Sequence, residues 1–410
     1  MTKSGEQRPF GELIPHEEAL EKILMNVNPI GRKETVELDE AFGRVLAEDV
    51  KSEISVPPFD RAAMDGFAVK SEDTFEADKF EPVELKCVDE VHAGDVAEKK
   101  VDECDCIQIA TGAPMPGGAD AVVKVERTEK DEDTGLVHIY KPVHPGENVS
   151  PKGEDIDEGE VVLEKEMVLT SSKIGALAAM GKEKVEVYER PKVGIIPTGD
   201  EVVPLDEELD PGQIYDVNSH TLSCVVKDNG CIPVTKGVVK DSLEGLKEEI
   251  KQEVKRNDMV LFSGGSSVGD KDILIDALSS LGEVIFHGVK IKPGKPTLFG
   301  VVENTPVIGM PGYPTSCLNT AQQLIKPALR KMSKLPESTE RKTEAVLQKR
   351  TTSSLGRRQY MTVRLENDKA YPVYKQSGAI TSMAQADGYF KIPENKELVD
   401  KGEVVKVIFF

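Results

Sequence analysis

The sequence predicts a multidomain protein of mixed α/β and β class, built from one parallel-sheet domain and two small β-domains. Three observations lead there. Strand and helix patterns alternate over 191–332, which gives a parallel sheet with helices on both faces. Short alternating runs, broken by Gly and Pro, fill 66–150 and return over 336–410. The chain has 410 residues, whereas a domain commonly holds roughly 100–200.

Residues 15–53 read as helical, with Leu20, Ile23 and Leu24 on one stripe and a second helical pattern over Ala41–Val50 behind Asp39 and Glu40. Val56-Pro57-Pro58-Phe59 stops that pattern, because consecutive prolines cannot continue a helix. Strand-like runs follow at Phe80–Val88, Ala121–Glu126 and Leu136–Val143. Glu160–Leu163 and Met167–Leu169 suggest a hairpin, and Ser171–Met180 a short helix closed by Gly181. The chain thus leaves one body, makes a β-domain and returns. We place a discontinuous linker domain at 1–53 and 151–190, and an inserted β-domain at 54–150.

The third domain, 191–332, opens with the apolar strand Val193–Ile196. An amphipathic helix, Ser219–Asn229, ends at Gly230; a strand, Val234–Val239, follows. Asp241 and Ser242 sit where an N-cap belongs, before a helix to Lys255. Next come the strand Met259–Phe262, a glycine-rich loop, the helix Ile273–Leu281 and the strand Glu283–Val289. Residues 333–410 form the last domain, with strands at Tyr360–Leu365, Tyr371–Tyr374 and Val404–Phe410.

Composition narrows the function. Asp and Glu total 73 against 52 Lys and Arg, a formal net charge of −21, so nucleic acid and anionic membranes are poor partners. No run of about 18–20 apolar residues offers a membrane span, and the N-terminus lacks a signal-peptide core. Six scattered cysteines make neither a disulfide framework nor a zinc CxxC pair; a reducing cytoplasm is the expected setting. The six histidines have no metal-ligand spacing and no GxSxG elbow occurs, so zinc chemistry and nucleophilic hydrolysis are not expected.

Four segments could carry chemistry. Ser263-Gly264-Gly265-Ser266-Ser267-Val268-Gly269-Asp270-Lys271-Asp272 lies between a strand and a helix. Its glycines let backbone N–H groups approach a phosphate, or simply make a tight turn that Asp272 caps. Its acids repel phosphate unless Mg²⁺ lies between them. Lys290-Ile291-Lys292-Pro293-Gly294-Lys295-Pro296 places three lysines on a proline-stiffened loop, a local reversal of sign in an acidic chain. It is either a solvated loop or a seat for two phosphates or an oxyanion such as molybdate. Gly309-Met310-Pro311-Gly312-Tyr313-Pro314 could shape an anion nest at a helix start, or a turn. Pro57-Pro58-Phe59-Asp60-Arg61-Ala62-Ala63-Met64-Asp65-Gly66 holds two carboxylates and an arginine, though composition alone favours a structural turn at Asp65-Gly66; Ala110-Thr111-Gly112 is a similar polar turn.

PPFDRAAMDGFAV, ATGAPMP, KGEDI, PTGDEVV, GQIYDVNS, FSGGSSVGDKD, IKPGKP and GMPGYPTS occur in one order over about residues 8–390. In this the chain resembles the molybdopterin molybdotransferase family, which comprises the bacterial and archaeal MoeA proteins and the E-domains of gephyrin and its plant homologue. The resemblance implies an elongated protomer whose four parts are a mixed linker domain, a β-domain, a three-layer α/β molybdopterin-binding domain and a C-terminal β-barrel. It implies a homodimer and the insertion of molybdate, or tungstate, into adenylyl-molybdopterin with Mg²⁺-dependent release of AMP.

Carried onto this sequence, the resemblance gives the Ser263, Gly264, Gly265 and Ser266 loop to the pterin or phosphate end. Asp272 becomes the essential acid, with Glu201 and Asp241 as further functional carboxylates; Asp272 and Glu201 are the expected Mg²⁺ ligands. Lys292 and Lys295 neutralise phosphate or molybdate, and Pro311 and Pro314 shape their pocket. Arg358, or its neighbour Arg357, and Ser377 belong to the oxyanion site. Asp60, Thr111 and, more weakly, Asp155 match functional positions of the β-domain side, with Asp60 and Thr111 facing the partner chain. Gly288 departs from the family pattern, where bacterial members often carry a basic residue, and Ser266 replaces a common Val or Thr. A molybdopterin adenylyltransferase sharing the α/β domain is the rival enzyme, and a non-catalytic scaffold the rival role.

Overall fold

A computed structural model describes residues 12–240, 242–264, 273–373 and 378–410. They fall into two compact units, one of 35–42 and 46–187, the other of the chain up to 34, 43–45 and 188–410. Among the described residues no helix is long and apolar enough to cross a membrane.

The first helix, α1 (His16–Met25), belongs to the second of these units, where Ala19 and Ile23 are fully buried. The smaller unit holds a six-stranded sheet of β1 (Gly66–Val69), β2 (Val83–Val91), β3 (Asp105–Ile109), β4 (Ala121–Lys124), β5 (Thr128–Lys130) and β6 (Leu136–Ile139). Its order is β4-β1-β3-β2-β6-β5, with only β2 and β3 parallel. Alternate residues enter two cores, Phe67 and Val69 on one face, Ala68 and Ile107 on the other. The helix α2 (Ser171–Ala179) closes at Gly181, which takes φ +71°.

The expected second helix over Ala41–Val50 does not form. Gly43 turns left-handed at φ +73°, and the segment becomes a strand partner instead. Leu46 N–H donates to the Met167 carbonyl, and Val50–Lys51 pairs antiparallel with Val161–Leu163. The expected hairpin of 160–169 therefore pairs with 46–51 and not with itself. A moderate helical periodicity lost to long-range pairing that satisfies the same backbone groups.

The larger unit is built on β7 (Lys192–Pro197), α3 (Asn218–Asp228), β8 (Ile232–Thr235), α4 (Leu243–Glu253), β9 (Met259–Ser263) and α5 (Ile273–Leu281). It continues through β10 (Glu283–His287), the short β11 (Ile291–Lys292), β12 (Leu298–Val302), β13 (Thr305–Met310), α6 (Pro314–Thr320) and α7 (Lys326–Met332). The sheet order is β8-β7-β9-β13-β12-β10. It is buried on both faces, so its central strands are continuous apolar runs. Met259 and Leu261 pack with α3 and α7, while Val260 and Phe262 pack with α4 and α5. Ser242 caps α4, its Oγ accepting from the Gly245 N–H at 3.2 Å.

The sheet is mixed, not wholly parallel. β8, β7, β9 and β13 are parallel, but β12 runs antiparallel to both β13 and β10. The links are too short for anything else: residues 303–304 and 288–297 cannot carry the helical crossover a parallel pair needs.

The C-terminal part is a closed barrel of β14 (Lys342–Leu347), β15 (Arg358–Glu366), β16 (Lys369–Pro372), β17 (Gly388–Ile392) and β18 (Val404–Phe409). Its order β15-β16-β14-β18-β17 closes through a β15–β17 pairing, which leaves no long edge exposed. β11 adds to β15, with Ile291 opposite Arg358 and Lys292 opposite Gln359. The lysine segment is thereby stitched to the barrel.

Candidate active-site crevice

The parallel strands β7, β9 and β13 are in register through Pro197 opposite Ser263 and Ser263 opposite Met310. Their C-terminal ends stop at one level, the edge at which open α/β sheets bind ligands. Leu298, at the start of β12, lies opposite both Gly309 and His287. The loop 288–297 between β10 and β12 opens on that same edge. Two strand spacings separate β9 from β12, roughly 10 Å. Ser263, Gly264, Lys292, Lys295 and Pro311 are thus brought to one sheet edge.

The floor of this crevice is bare backbone. Gly264 takes φ +117°, and a Cβ there would lie 2.4 Å from the Thr198 carbonyl oxygen. At Gly312 an added Cβ would lie 3.7 Å from the Gly264 Cα. Two chain segments pass with no side chain between them. Thr198 Oγ1 and Asn218 Oδ1 are buried beside them, without a hydrogen-bond partner among the described residues. Asn218 opens α3 and donates through Nδ2 to the Gly312 carbonyl at 2.8 Å. Asp216 caps that helix, accepting from the Ser219 N–H at 3.0 Å. Unmet buried polar atoms are uncommon, and here they mark a floor suited to a polar guest.

The lysine loop is held from below. Asn319 of α6 donates to the Pro293 carbonyl at 2.8 Å, and Thr297 Oγ1 to the Gly294 carbonyl at 2.8 Å. The Lys295 carbonyl accepts from Val289 and Thr297 N–H groups, each at 3.0 Å. Pro314 occupies the first turn of α6, where a missing N–H costs nothing. The same helix reaches the barrel end, Thr315 Oγ1 donating to the Ala379 carbonyl at 3.2 Å. Lys292 Nζ donates to Ser354 Oγ at 3.0 Å. Burial, and then the Arg357 guanidinium, hold the Lys292 ammonium below the usual lysine range. Lys292 is thus a partly buried ammonium at the strand-end edge, held on a neutral hydroxyl.

Arg358 is elsewhere. Its guanidinium forms a close ion pair with Glu17 of α1, in a groove with His16, Leu20 and Lys391. Arg357, in the bend just before β15, is the arginine whose charge acts on Lys292. Glu201 lies just beyond the end of β7, exposed, with its carboxylate folded against Gly199. Its carbonyl accepts from the Ile214 N–H at 2.8 Å, beside a short pairing of Val202–Val203 with Ile214–Tyr215. Asp241, Gly265, Ser266, Asp272 and Ser377 lie outside the described residues.

In the smaller unit Asp60 and Thr111 are both exposed, on neighbouring segments. Asp60 Oδ1 accepts from the Lys152 N–H at 2.7 Å, and its carbonyl from the Met115 N–H at 2.8 Å. Thr111 donates its N–H (2.7 Å) and hydroxyl (2.8 Å) to Asp65 Oδ1, which holds the Asp65 carboxyl below its usual range. The Asp155 N–H donates to the Val56 carbonyl at 3.0 Å, so the KGEDI and PPFDRAAMDG segments share one surface.

Among the described residues no group of three or more His, Cys, Asp or Glu could hold a metal. Mg²⁺ keeps several waters and leans on substrate phosphates, so one or two carboxylates suffice. Glu201, a hard oxygen donor at the strand-end edge, fits that demand.

Sequence reasoning gave no role to Asp216, Asn218 or Ser354. For the first two a signal existed, since Asp-Val-Asn-Ser before an amphipathic helix is a capping pattern. For Ser354 there was none, because its partnership with Lys292 spans 62 residues.

Three family models cover most of the chain. The MoeA N-terminal region (domains I and II) matches 14–181, a "probable molybdopterin binding domain" matches 194–331, and the MoeA C-terminal region (domain IV) matches 344–410. The crystal structure of a molybdopterin biosynthesis MoeA protein from Pyrococcus horikoshii is 42% identical, with a TM-score of 0.84 over 97% of this chain and 99% of its own. The molybdopterin molybdenumtransferase of Nostoc is 35% identical over 92% of this chain and 88% of its own. That of Bacillus subtilis is 32% identical over 96% and 94%.

Proposed function

The chain belongs to the MoeA family, and we propose that it is a molybdopterin molybdenumtransferase, inserting molybdate or tungstate into adenylyl-molybdopterin with Mg²⁺-dependent release of AMP. The observation that carries this reading is Lys292, held at 3.0 Å on Ser354 Oγ, on the sheet edge that also holds Gly264 and Gly312. Molybdate is a dianion and the adenylylated pterin carries a pyrophosphate. Their approach is repulsive by several kcal/mol where water is scarce. Cationic side chains beside a bare backbone floor offset that repulsion, and fixing both reactants supplies effective molarity.

In this reading Lys292, Lys295 and Arg357 bind the oxyanion, with Ser354 orienting Lys292. Gly264 and Gly312 admit the phosphate-bearing end of the substrate. Glu201 and Asp272 would hold Mg²⁺, which supplies charge neutralisation at the pyrophosphate. The dithiolene sulfurs of the substrate, not protein cysteines, receive the molybdenum. The chain would act in the cytoplasm as a homodimer, each protomer lending Asp60 and Thr111 to its partner's site.

Incubation with adenylyl-molybdopterin, Mg²⁺ and each oxyanion tests this, following nucleotide release and activation of an apo-enzyme. AMP release coupled to cofactor formation is expected. Consumption of ATP instead would assign the chain to adenylyl transfer. Asp272→Asn should bind adenylyl-molybdopterin but fail to release AMP; turnover at the unmodified rate would remove Asp272 from the chemistry.

A further inference from the structure

The smaller unit carries a thiol pair that the reaction does not use. β2 and β3 run parallel with Cys87 directly opposite Cys106. Opposed residues on neighbouring strands point to one face, and both side chains enter the same apolar cluster. Parallel neighbours stand about 4.8 Å apart, inside the range of Cα separations that a disulfide spans. Both cysteines are free thiols. Their exposures differ: Cys106 is fully buried, while Cys87 is partly open to solvent.

Local chemistry separates them further. The strand is bulged immediately after Cys87, and its thiol reaches the Asp89 carbonyl at 3.4 Å. The Cys106 thiol, backbone N–H groups and the Lys130 charge hold Cys87 down to about 6, against an ordinary 9.0. Cys106 is pushed up by the same partnership and by burial. A partly exposed thiolate backed by a buried thiol is the arrangement of an attacking and a resolving cysteine.

We propose that Cys87 and Cys106 form a reversible disulfide under oxidising conditions, with Cys87 as the attacking sulfur and a small-molecule disulfide as the oxidant. The Cys87 thiolate attacks one sulfur of the oxidant and expels the other as a thiolate, leaving a mixed disulfide on Cys87. Cys106 gives up its proton and attacks the Cys87 sulfur, expelling the second small thiol. Two protein thiols are oxidised and one disulfide becomes two thiols, so atoms and electrons balance. Cys104, exposed and two residues before Cys106, is the competing partner.

The test treats the full chain with oxidised glutathione, then blocks free thiols and maps peptides without reduction. Two of the six thiols should disappear, with Cys87 and Cys106 in one cross-linked species. Closing this short loop should raise the unfolding midpoint of the oxidised chain by about 5 °C. Cys87→Ser should leave all remaining thiols free, and Cys106→Ala should stop at a glutathione adduct on Cys87. Competition alkylation of the reduced chain should label Cys87 far faster than Cys106 near pH 7, a readout that needs no variant. Six free thiols after oxidation, a bond through Cys104, or equal alkylation of the pair would overturn the proposal.

Discussion

In the proposed function Lys292 carries both binding and a pH limit. Burial and Arg357 lower its pKa from 10.5, so the ammonium discharges earlier in alkali than a free lysine does. The native chain then binds fewer protons than the unfolded one. The cost of the buried charge is present at neutral pH and relieved as pH rises through the folded pKa. Stability and function should therefore move in opposite directions there. Molybdate affinity should hold at neutral pH and fall on the alkaline side before an ordinary lysine would titrate; Lys292→Arg should extend the plateau. A plateau of the same length in both proteins, measured as molybdate KM against pH, would contradict this. Lys292→Ala should raise molybdate KM at least tenfold with little change in pterin affinity. Arg357→Ala should behave likewise. Arg358→Ala loses its partly exposed pair with Glu17 and should cost about 1 kcal/mol of stability or less, with molybdate KM unchanged.

Elements place these residues, and two substitutions probe them. Gly264→Ala forces a Cβ to 2.4 Å from the Thr198 carbonyl in a left-handed backbone. It should cost about 1–3 kcal/mol in denaturant unfolding and weaken substrate binding. Asn319→Ala frees the Pro293 carbonyl and loosens the lysine loop. It should cost about 1 kcal/mol and raise molybdate KM severalfold, less than Lys292→Ala does. Helices with clear end signals were legible in the sequence: Ser242 caps α4 as expected, and Gly230 follows α3. Ala41–Val50 was not legible, because a single glycine and partners more than a hundred residues away decided its pairing. The one antiparallel strand of the α/β sheet, β12, was missed for a different reason: the short links 288–297 and 303–304 overruled the expected crossover.

At the scale of the whole chain, the acidic total is what made the lysine loop conspicuous. The loops at the strand ends could be named from sequence as candidate binding segments, because glycine, proline and lysine punctuate them. Which arginine acts on Lys292 could not be, since it depends on how β11 pairs with the start of β15, a long-range event. A fold that gathers cations at one sheet edge inside a chain of net charge −21 predicts that two anions meet there. The decisive measurement is AMP release from adenylyl-molybdopterin by the full chain as molybdate and Mg²⁺ are varied, with Lys292→Ala alongside. Release should require both, yield active cofactor in step with AMP, and in the variant recover only at higher molybdate. AMP release that ignores molybdate, or a variant with an unshifted molybdate curve, would show that the cationic edge does not unite the two anions.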